Sequence, residues 1–284
     1  MDQKGIPSDT RHPKEISKIV NQFCDYLVDR ELSENTIKAY TTSAREFLQV
    51  YGQVTKSNGI QWKKKLLEQG KAPKTINVRL NAYNSLCEML GRPDAKCKAI
   101  KVHQATAIAN VISELDYKKL LRKLSEDGNW SWYYNIKLLA TTGARISECL
   151  LLKKKDFDFG YAELWTKGKF RRIYIPQKFR EESLAYYSDY EPDDYLVQNR
   201  FGRQMTTRGF ATMLQRFSEK YGIDPKCMHP HSFRHLFAME FLERNKNLSL
   251  LADLMGHSSV ATTAIYTRMT KEKQREAIDN AVNW

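Results

Sequence analysis

With 284 residues, 42% of them hydrophobic and 11% aromatic, the chain is too long for one small module and comfortable for two domains that each bury a core. Lys and Arg outnumber Asp and Glu by 46 to 33, a formal net charge of +13 that draws polyanions. Nucleic acid is preferred over an anionic membrane, because no stretch resembles a signal peptide, an apolar span or a basic amphipathic helix with the required apolar face. The five cysteines (Cys24, Cys87, Cys97, Cys149, Cys227) are odd in number and form no CxxC pair. That argues against a disulfide framework or zinc finger and fits reduced packing thiols in a cytoplasmic protein.

Residues 1–13 are polar, with two prolines, and read as a flexible N-terminal segment. Apolar residues then recur at helical spacing: Ile16, Ile19, Val20, Phe23 and Leu27, followed by Ile37, Tyr40, Phe47 and Leu48. Ser33 is placed to cap the second run and Gly52 to close it. A third helix is expected over 60–68. A fourth starts at Pro73 and runs through Ile76, Leu80, Tyr83 and Leu86 to Gly91. Four helices with short connections make a bundle over 14–92. From 93 to 110 the periodicity fades into small and basic residues, a linker suited to a path beside DNA.

Ser113, three residues before Asp116, reopens regular structure over 111–284. Helices are expected at 114–125, at 130–142 with Gly143 at its end, and at 145–152. The β signal lies in 161–175, where YAELWT and FRRIYIP alternate around a Lys167-Gly168-Lys169 turn. Helices at 207–221, 232–244 and 248–255 follow, then one opened by Ser259 that carries Tyr266. The final stripe of Ala277, Ile278, Ala281, Val282 and Trp284 has two readings, docking into a neighbouring protomer or folding back on its own domain. The fold class is mainly α, with a small antiparallel sheet in the second domain.

Five segments carry the chemistry: TTGARISE (141–148), TKGK (166–169), HPHSFRH (229–235), MGHSS (255–259) and AIYTR (264–268). Each alone has an ordinary explanation. Arg145 and Glu148 sit at i, i+3 as a surface ion pair would, Lys167 as a hairpin tip and Tyr266 as a half-buried core residue. Cys227, His229, His231 and His235 invite a metal site. Pro230 and the permanent cation of Arg234 argue against it, and no Glu stands as in a zinc protease. Together, two arginines, a lysine, two histidines and a tyrosine suit a phosphodiester. Guanidinium groups can grip oxygens on which charge develops. A phenol with a pKa near ~10 needs cations and a base to become a nucleophile. A lysine or histidine can protonate a leaving 5′ oxygen, without a divalent metal.

These segments resemble the tyrosine recombinases, the group of Xer, Cre and lambda-type integrases, over nearly the whole chain and most strongly from 112 to 270. TGARISE resembles the first box of that family, with its arginine at Arg145. HSFRH resembles the H-x-x-R box and places His231 and Arg234. MGHSS, with Met255 where Leu is usual, supplies His257, and Tyr266 follows nine residues later. Lys167 falls at the family's catalytic lysine, with Lys169 as competitor, and Glu148 at an acidic position that supports the first arginine.

The resemblance implies a DNA breaking-rejoining fold in a two-domain, C-shaped clamp. A helical, SAM-like core-binding domain would face one side of the duplex and the catalytic domain, with its C-terminal docking helix, the other. It implies double-stranded DNA at specific sites as partner and a homotetramer on two sites, assembled from free monomers or dimers. Strands would be exchanged through a Holliday junction without metal, cofactor or ATP. The protein would be cytoplasmic and nucleoid-associated, with a possible accessory directionality factor. Tyr266 would attack, Arg145, Arg234 and His257 would hold the phosphate, His231 would act as base and Lys167 as acid. Integration or excision of a mobile element or phage is the expected role, with an Xer-type chromosome or plasmid dimer resolvase as the alternative. A monomeric type IB topoisomerase and a non-catalytic DNA-binding regulator are the readings outside recombination. The complete set of six residues argues against the regulator.

Overall fold

A chain whose apolar residues repeat with helical periodicity folds accordingly in the computed structural model, which describes residues 13–102, 110–166, 169–256, 260–267 and 278–282. Two compact units divide it, Met1–Gln104 and Ala105–Trp284.

The first unit holds α1 (Pro13–Asp29), α2 (Glu34–Tyr51), α3 (Lys56–Glu68) and α4 (Pro73–Met89). The i, i+3, i+4 stripe of α1 buries Ile16, Ile19, Val20, Phe23 and Leu27. Ser33 caps α2 by accepting the Thr36 N–H, and Gly52, at φ +64°, ends it. The third helix begins earlier than its apolar pattern implies. Thr55 caps it, and Gly59 within it leaves room for the Tyr83 ring, which would lie 2.7 Å from a Cβ there. Phe47, Trp62 and Tyr83 form the aromatic centre of this core. Tyr83 donates its hydroxyl to the Thr55 carbonyl at 2.8 Å, so the buried oxygen is not left unpaired.

The expected linker is shortened at its start. A 3-10 turn over Pro93–Ala95 buries Ala95 and Cys97. Asn84 and Asn77 each hold the backbone beyond it at both ends, through Cys97 and Ile100. Residues 103–109 of that linker lie outside the described residues.

The second unit is helical around one hairpin. Its elements are α5 (Glu114–Glu126), α6 (Trp130–Thr142), α7 (Ile146–Cys149), α8 (Lys154–Phe159), β1 (Tyr161–Thr166), β2 (Lys169–Tyr174), α9 (Gln177–Ser183), α10 (Thr207–Tyr221), α11 (Pro230–Arg244), α12 (Leu248–Met255) and α13 (Val260–Thr263). Ser113 caps α5, and Gly143 ends α6 in the left-handed region. Leu120, Leu124, Ile136, Leu139, Phe210 and Phe233 are among the fully buried members of the core. The strands pair antiparallel, with Tyr161 opposite Tyr174 and Trp165 opposite Phe170. Alternation turns Ala162, Arg171 and Ile173 inward and leaves Trp165 and Phe170 exposed. An arginine therefore points into the domain.

Tyr266 is not on the regular helix expected from Ser259. It sits in a 3-10 turn, Ala264–Thr267, that follows α13. Of the C-terminal stripe, Ile278 and Val282 are exposed, while Ala277 and Trp284 lie outside the described residues. All five cysteines are free, with Cys87, Cys97 and Cys149 buried. Among the described residues no helix is long and apolar enough to cross a membrane, and no cluster of His, Cys, Asp or Glu could hold a metal.

Candidate active site

The C-terminal end of α12 organises the site. A helix leaves its last carbonyls without intrahelical partners, and cations suit that end of its dipole. Here three successive carbonyls each receive a different arginine. Arg171 donates Nη2 to the Leu254 oxygen at 2.8 Å, Arg234 donates Nη2 to Met255 at 2.5 Å, and Arg145 donates Nη2 to Gly256 at 3.1 Å. Arg234 also donates Nη1 to the Gly143 carbonyl at 2.7 Å, tying the end of α6 to the same cluster.

Two glycines make this approach possible. Gly143 and Gly256 have φ of +61° and +60°, and a Cβ would lie 2.3 Å from Phe237 Cδ1 and 2.6 Å from Arg171 Cδ, respectively. The TTGARISE and MGHSS segments thus meet through backbone carbonyls that accept from the arginines.

Glu148 balances the charge. Its Oε1 accepts Arg145 Nη1 at 2.8 Å, and its Oε2 accepts both the Arg145 backbone N–H at 2.8 Å and Arg171 Nη1. At 2% exposure it is not half of a surface ion pair. Burial pushes its pKa up, but the Arg145 N–H, the Arg171 charge and the guanidinium hydrogen bonds outweigh burial and hold it below the ordinary carboxylate value. Burial, and then the neighbouring Arg145 and Arg171, push Arg234 down to about 10, which leaves it cationic at neutral pH. Arg171 is lowered by burial against the pull of Glu148.

The histidines divide their duties. His229 is the N-cap of α11, its Nδ1 accepting the Ser232 N–H at 3.2 Å. Ser232 Oγ in turn accepts the N–H of Ile112 at 2.6 Å. His231 is exposed near the start of α11, its pKa lowered by burial of part of the ring and then by Arg234 and His229. His235, one turn further along the helix, places Nδ1 2.7 Å from the Tyr266 hydroxyl oxygen. Burial, then the nearby His231, His229 and Arg234, push His235 down to about 4. Tyr266 packs against Ala238, Leu251 and Met255, and burial raises its pKa to about 12 against the pull of Arg234.

The structure therefore gathers Arg145, Glu148, Arg234, His231 and Tyr266 around the ends of α6 and α12 and the start of α11. Lys167 and His257 lie outside the described residues, and Lys169 opens β2, its backbone paired with Thr166. Two residues were not assigned to this site from sequence. The signal for Arg171 is its inward register two residues before Ile173, and that for His235 its i, i+4 spacing from His231, which in sequence suggests only a metal site.

The phage integrase family model matches residues 110–273, and the model of the phage integrase N-terminal SAM-like domain matches 20–92. Tyrosine recombinase XerA of Pyrococcus furiosus is 28% identical over 273 residues, covering 93% of this chain and 94% of that protein. Among solved structures, the Tn1549 transposon integrase in complex with transposon right-end DNA superposes with a TM-score of 0.70 at 20% identity, covering 92% of this chain and 98% of that one. A lambda integrase tetramer bound to a Holliday junction gives 0.71 at 14% identity, covering 90% and 78%.

Proposed function

This chain belongs to the phage integrase family, and from that footing we propose that it is a site-specific tyrosine recombinase that cuts and rejoins DNA through a 3′-phosphotyrosine intermediate. The observation that carries the reading is the convergence of Arg145, Arg234 and Arg171 on the end of α12, beside a tyrosine hydroxyl that already holds a hydrogen bond to an imidazole. Such a cluster is prepared for a phosphodiester.

Tyr266 Oη attacks the scissile phosphorus as the bond to the 5′ oxygen breaks. Its proton leaves to an imidazole of α11, expected from sequence to be His231. Lys167 protonates the 5′ oxygen, with Lys169 as the competitor, while Arg145, Arg234 and His257 hold the non-bridging oxygens. Glu148 and Arg171 act on Arg145 as positioning residues. A 5′-hydroxyl from the second site reverses each step, so the phosphotyrosine conserves the bond energy and no nucleotide is consumed. Domain roles follow the same reading, with 14–92 binding the core of the DNA site and 111–284 cutting it. Four protomers on two sites are the proposed assembly, and the exposed Ile278 and Val282 suit docking of the C-terminal segment into a neighbour.

Integration or excision of a mobile element is the proposed role. A second reading, an Xer-type dimer resolvase, is favoured by the XerA relative, which matches over nearly its full length. Expressing the protein in its host, denaturing it and sequencing the DNA that stays covalently attached tests both. The proposal expects 3′ ends that share one sequence. Ends at an element boundary support integration or excision, ends at a chromosomal or plasmid resolution site support the resolvase, and no attached DNA refutes the chemistry.

A further inference from the structure

We propose that Arg171 is a positioning residue for the proton delivered to the leaving 5′ oxygen, acting by fixing the height of the β1–β2 turn that carries Lys167. The inference rests on a lysine of that turn being the acid, and it goes beyond the action of Arg171 on Arg145 through Glu148.

Among the described residues the sheet has two strands, and a lone hairpin of that size is marginal in water. Its hold on the domain comes from the side chains turned inward. At the base these are Ala162 and Ile173, paired with one another and buried. The next inward pair toward the turn is Leu164 with Arg171. Leu164 packs partly buried against the core, and Arg171 is 7% exposed. Trp165 and Phe170, the pair beyond, are exposed. Arg171 is therefore the last buried anchor before the turn among the described side chains.

That anchorage comes from two other segments. Nη1 donates to Glu148 Oε2, and Nη2 donates to the Leu254 carbonyl at 2.8 Å. The stem lies over Gly256, the residue before His257, with Cδ 2.6 Å from where a Cβ would stand. One rigid guanidinium thus ties the hairpin to α7 and to the end of α12, fixing direction as well as distance. A buried cation is a costly anchor where valine or isoleucine would suit the register. What it adds over them is a fixed link to the arginine cluster. The ladder ends at Thr166 and Lys169, two residues beyond Arg171, about 7 Å at the rise of a strand. A tilt of roughly 10° about Arg171 would move that end by about 1 Å, and such a displacement of a reacting group can cost on the order of 10²-fold in rate.

The step that depends on this height is separable from the grip on the phosphate. As Tyr266 Oη bonds to phosphorus, the P–O5′ bond breaks and its electron pair stays on O5′, which takes a proton from the lysine ammonium. With sulfur at the bridging 5′ position the leaving group departs as a thiolate. At a pKa near ~8.5 it needs no acid.

The test is single-turnover cleavage of two nicked duplexes bearing the site recovered by the covalent-end sequencing above, one with oxygen and one with sulfur at that position. Arg171→Lys keeps the charge but replaces the fork with a single ammonium. It is expected to bind the duplex as the unaltered protein does and to cleave the oxygen substrate roughly 10–10²-fold more slowly. On the sulfur substrate it should come within about threefold of the unaltered protein. Arg171→Gln, which keeps one donor without the buried charge, should show the same pattern. Equal losses on both substrates would assign Arg171 to the phosphate grip alone and overturn the proposal, as would an unchanged rate on oxygen. Loss of duplex binding by both variants would make Arg171 a folding residue and overturn it too. Lys167→Ala should also be restored by sulfur; if neither it nor Lys169→Ala is, the lysine-acid reading beneath the proposal fails instead.

Discussion

Replacing Glu148 with Gln removes one negative charge from among three arginines while keeping the side-chain shape. The carboxylate is 2% exposed, Arg171 is 7% exposed and Arg234 4%. An amide retains a single acceptor oxygen, so it cannot serve the Arg145 N–H, the Arg145 guanidinium and the Arg171 guanidinium together. Removing one partner of a buried ion pair costs about 3–5 kcal/mol, because the remaining charge is left uncompensated. The Arg145 side chain is 39% exposed and partly screened, which places the expectation near the lower bound, about 3 kcal/mol. For a unit of this size that is a fall in Tm of roughly 6–12 °C. Differential scanning calorimetry of the full chain would read it as a shift of the second unit's transition. Adding Arg171→Met should make the double variant milder than the two single losses combined, since the orphaned cation is gone. A Tm within about 2 °C of the unaltered protein would refute the buried balance described here.

Four further outcomes follow from the same geometry. Because Glu148 is depressed below its ordinary 4.5, its contribution is full above that pH and lost as the pH falls through the lower, folded-state value. Glu148→Gln should therefore flatten the acid limb of a stability–pH curve. His235 is lowered from 6.5 to about 4, so the unfolded chain takes up its proton first and stability falls as pH drops between those values. His235→Asn should reduce that slope in denaturant titrations at successive pH values. Gly256→Ala should cost more stability than Gly128→Ala, since both have positive φ but only the former meets Arg171, whereas no atom lies within 4 Å of a Cβ at Gly128. Chemical denaturation of both variants checks it, and equal losses would contradict it. Lys167→Ala should leave DNA binding nearly intact while slowing cleavage at least a hundredfold; a larger loss in Lys169→Ala would move the acid to that lysine.

Much of the architecture was legible because its signals are local. Ser33 and Ser113 cap helices, Gly52, Gly143 and Gly256 end them, and the alternation of 161–174 gives the hairpin. Two helices, α8 and α9, span only six and seven residues, too few for a helical period to declare itself. The third helix, expected over 60–68, starts at Lys56 and takes in Gly59, where the Tyr83 ring leaves no room for a Cβ. Motif singles out Arg145, Glu148, Arg234 and Tyr266, but motif does not give depth. That Glu148 is buried, or that Arg171 turns inward to meet it, depends on packing between segments more than 20 residues apart. In sequence His235 reads only as a metal-ligand candidate, since its partner Tyr266 lies 31 residues away and no local spacing links them.

The proposed cleavage depends most directly on the oxygen of one side chain, Tyr266. A nicked suicide duplex that loses its short 5′ fragment on cleavage traps the covalent intermediate, which denaturing electrophoresis resolves from free protein. The unaltered chain should accumulate a protein–DNA adduct joined at a 3′ phosphate, and peptide mapping should place the DNA on Tyr266. Tyr266→Phe, which lacks only the hydroxyl held by His235, should bind the same duplex and yield none. An adduct that persists in Tyr266→Phe, or one mapped to another residue, would contradict the account.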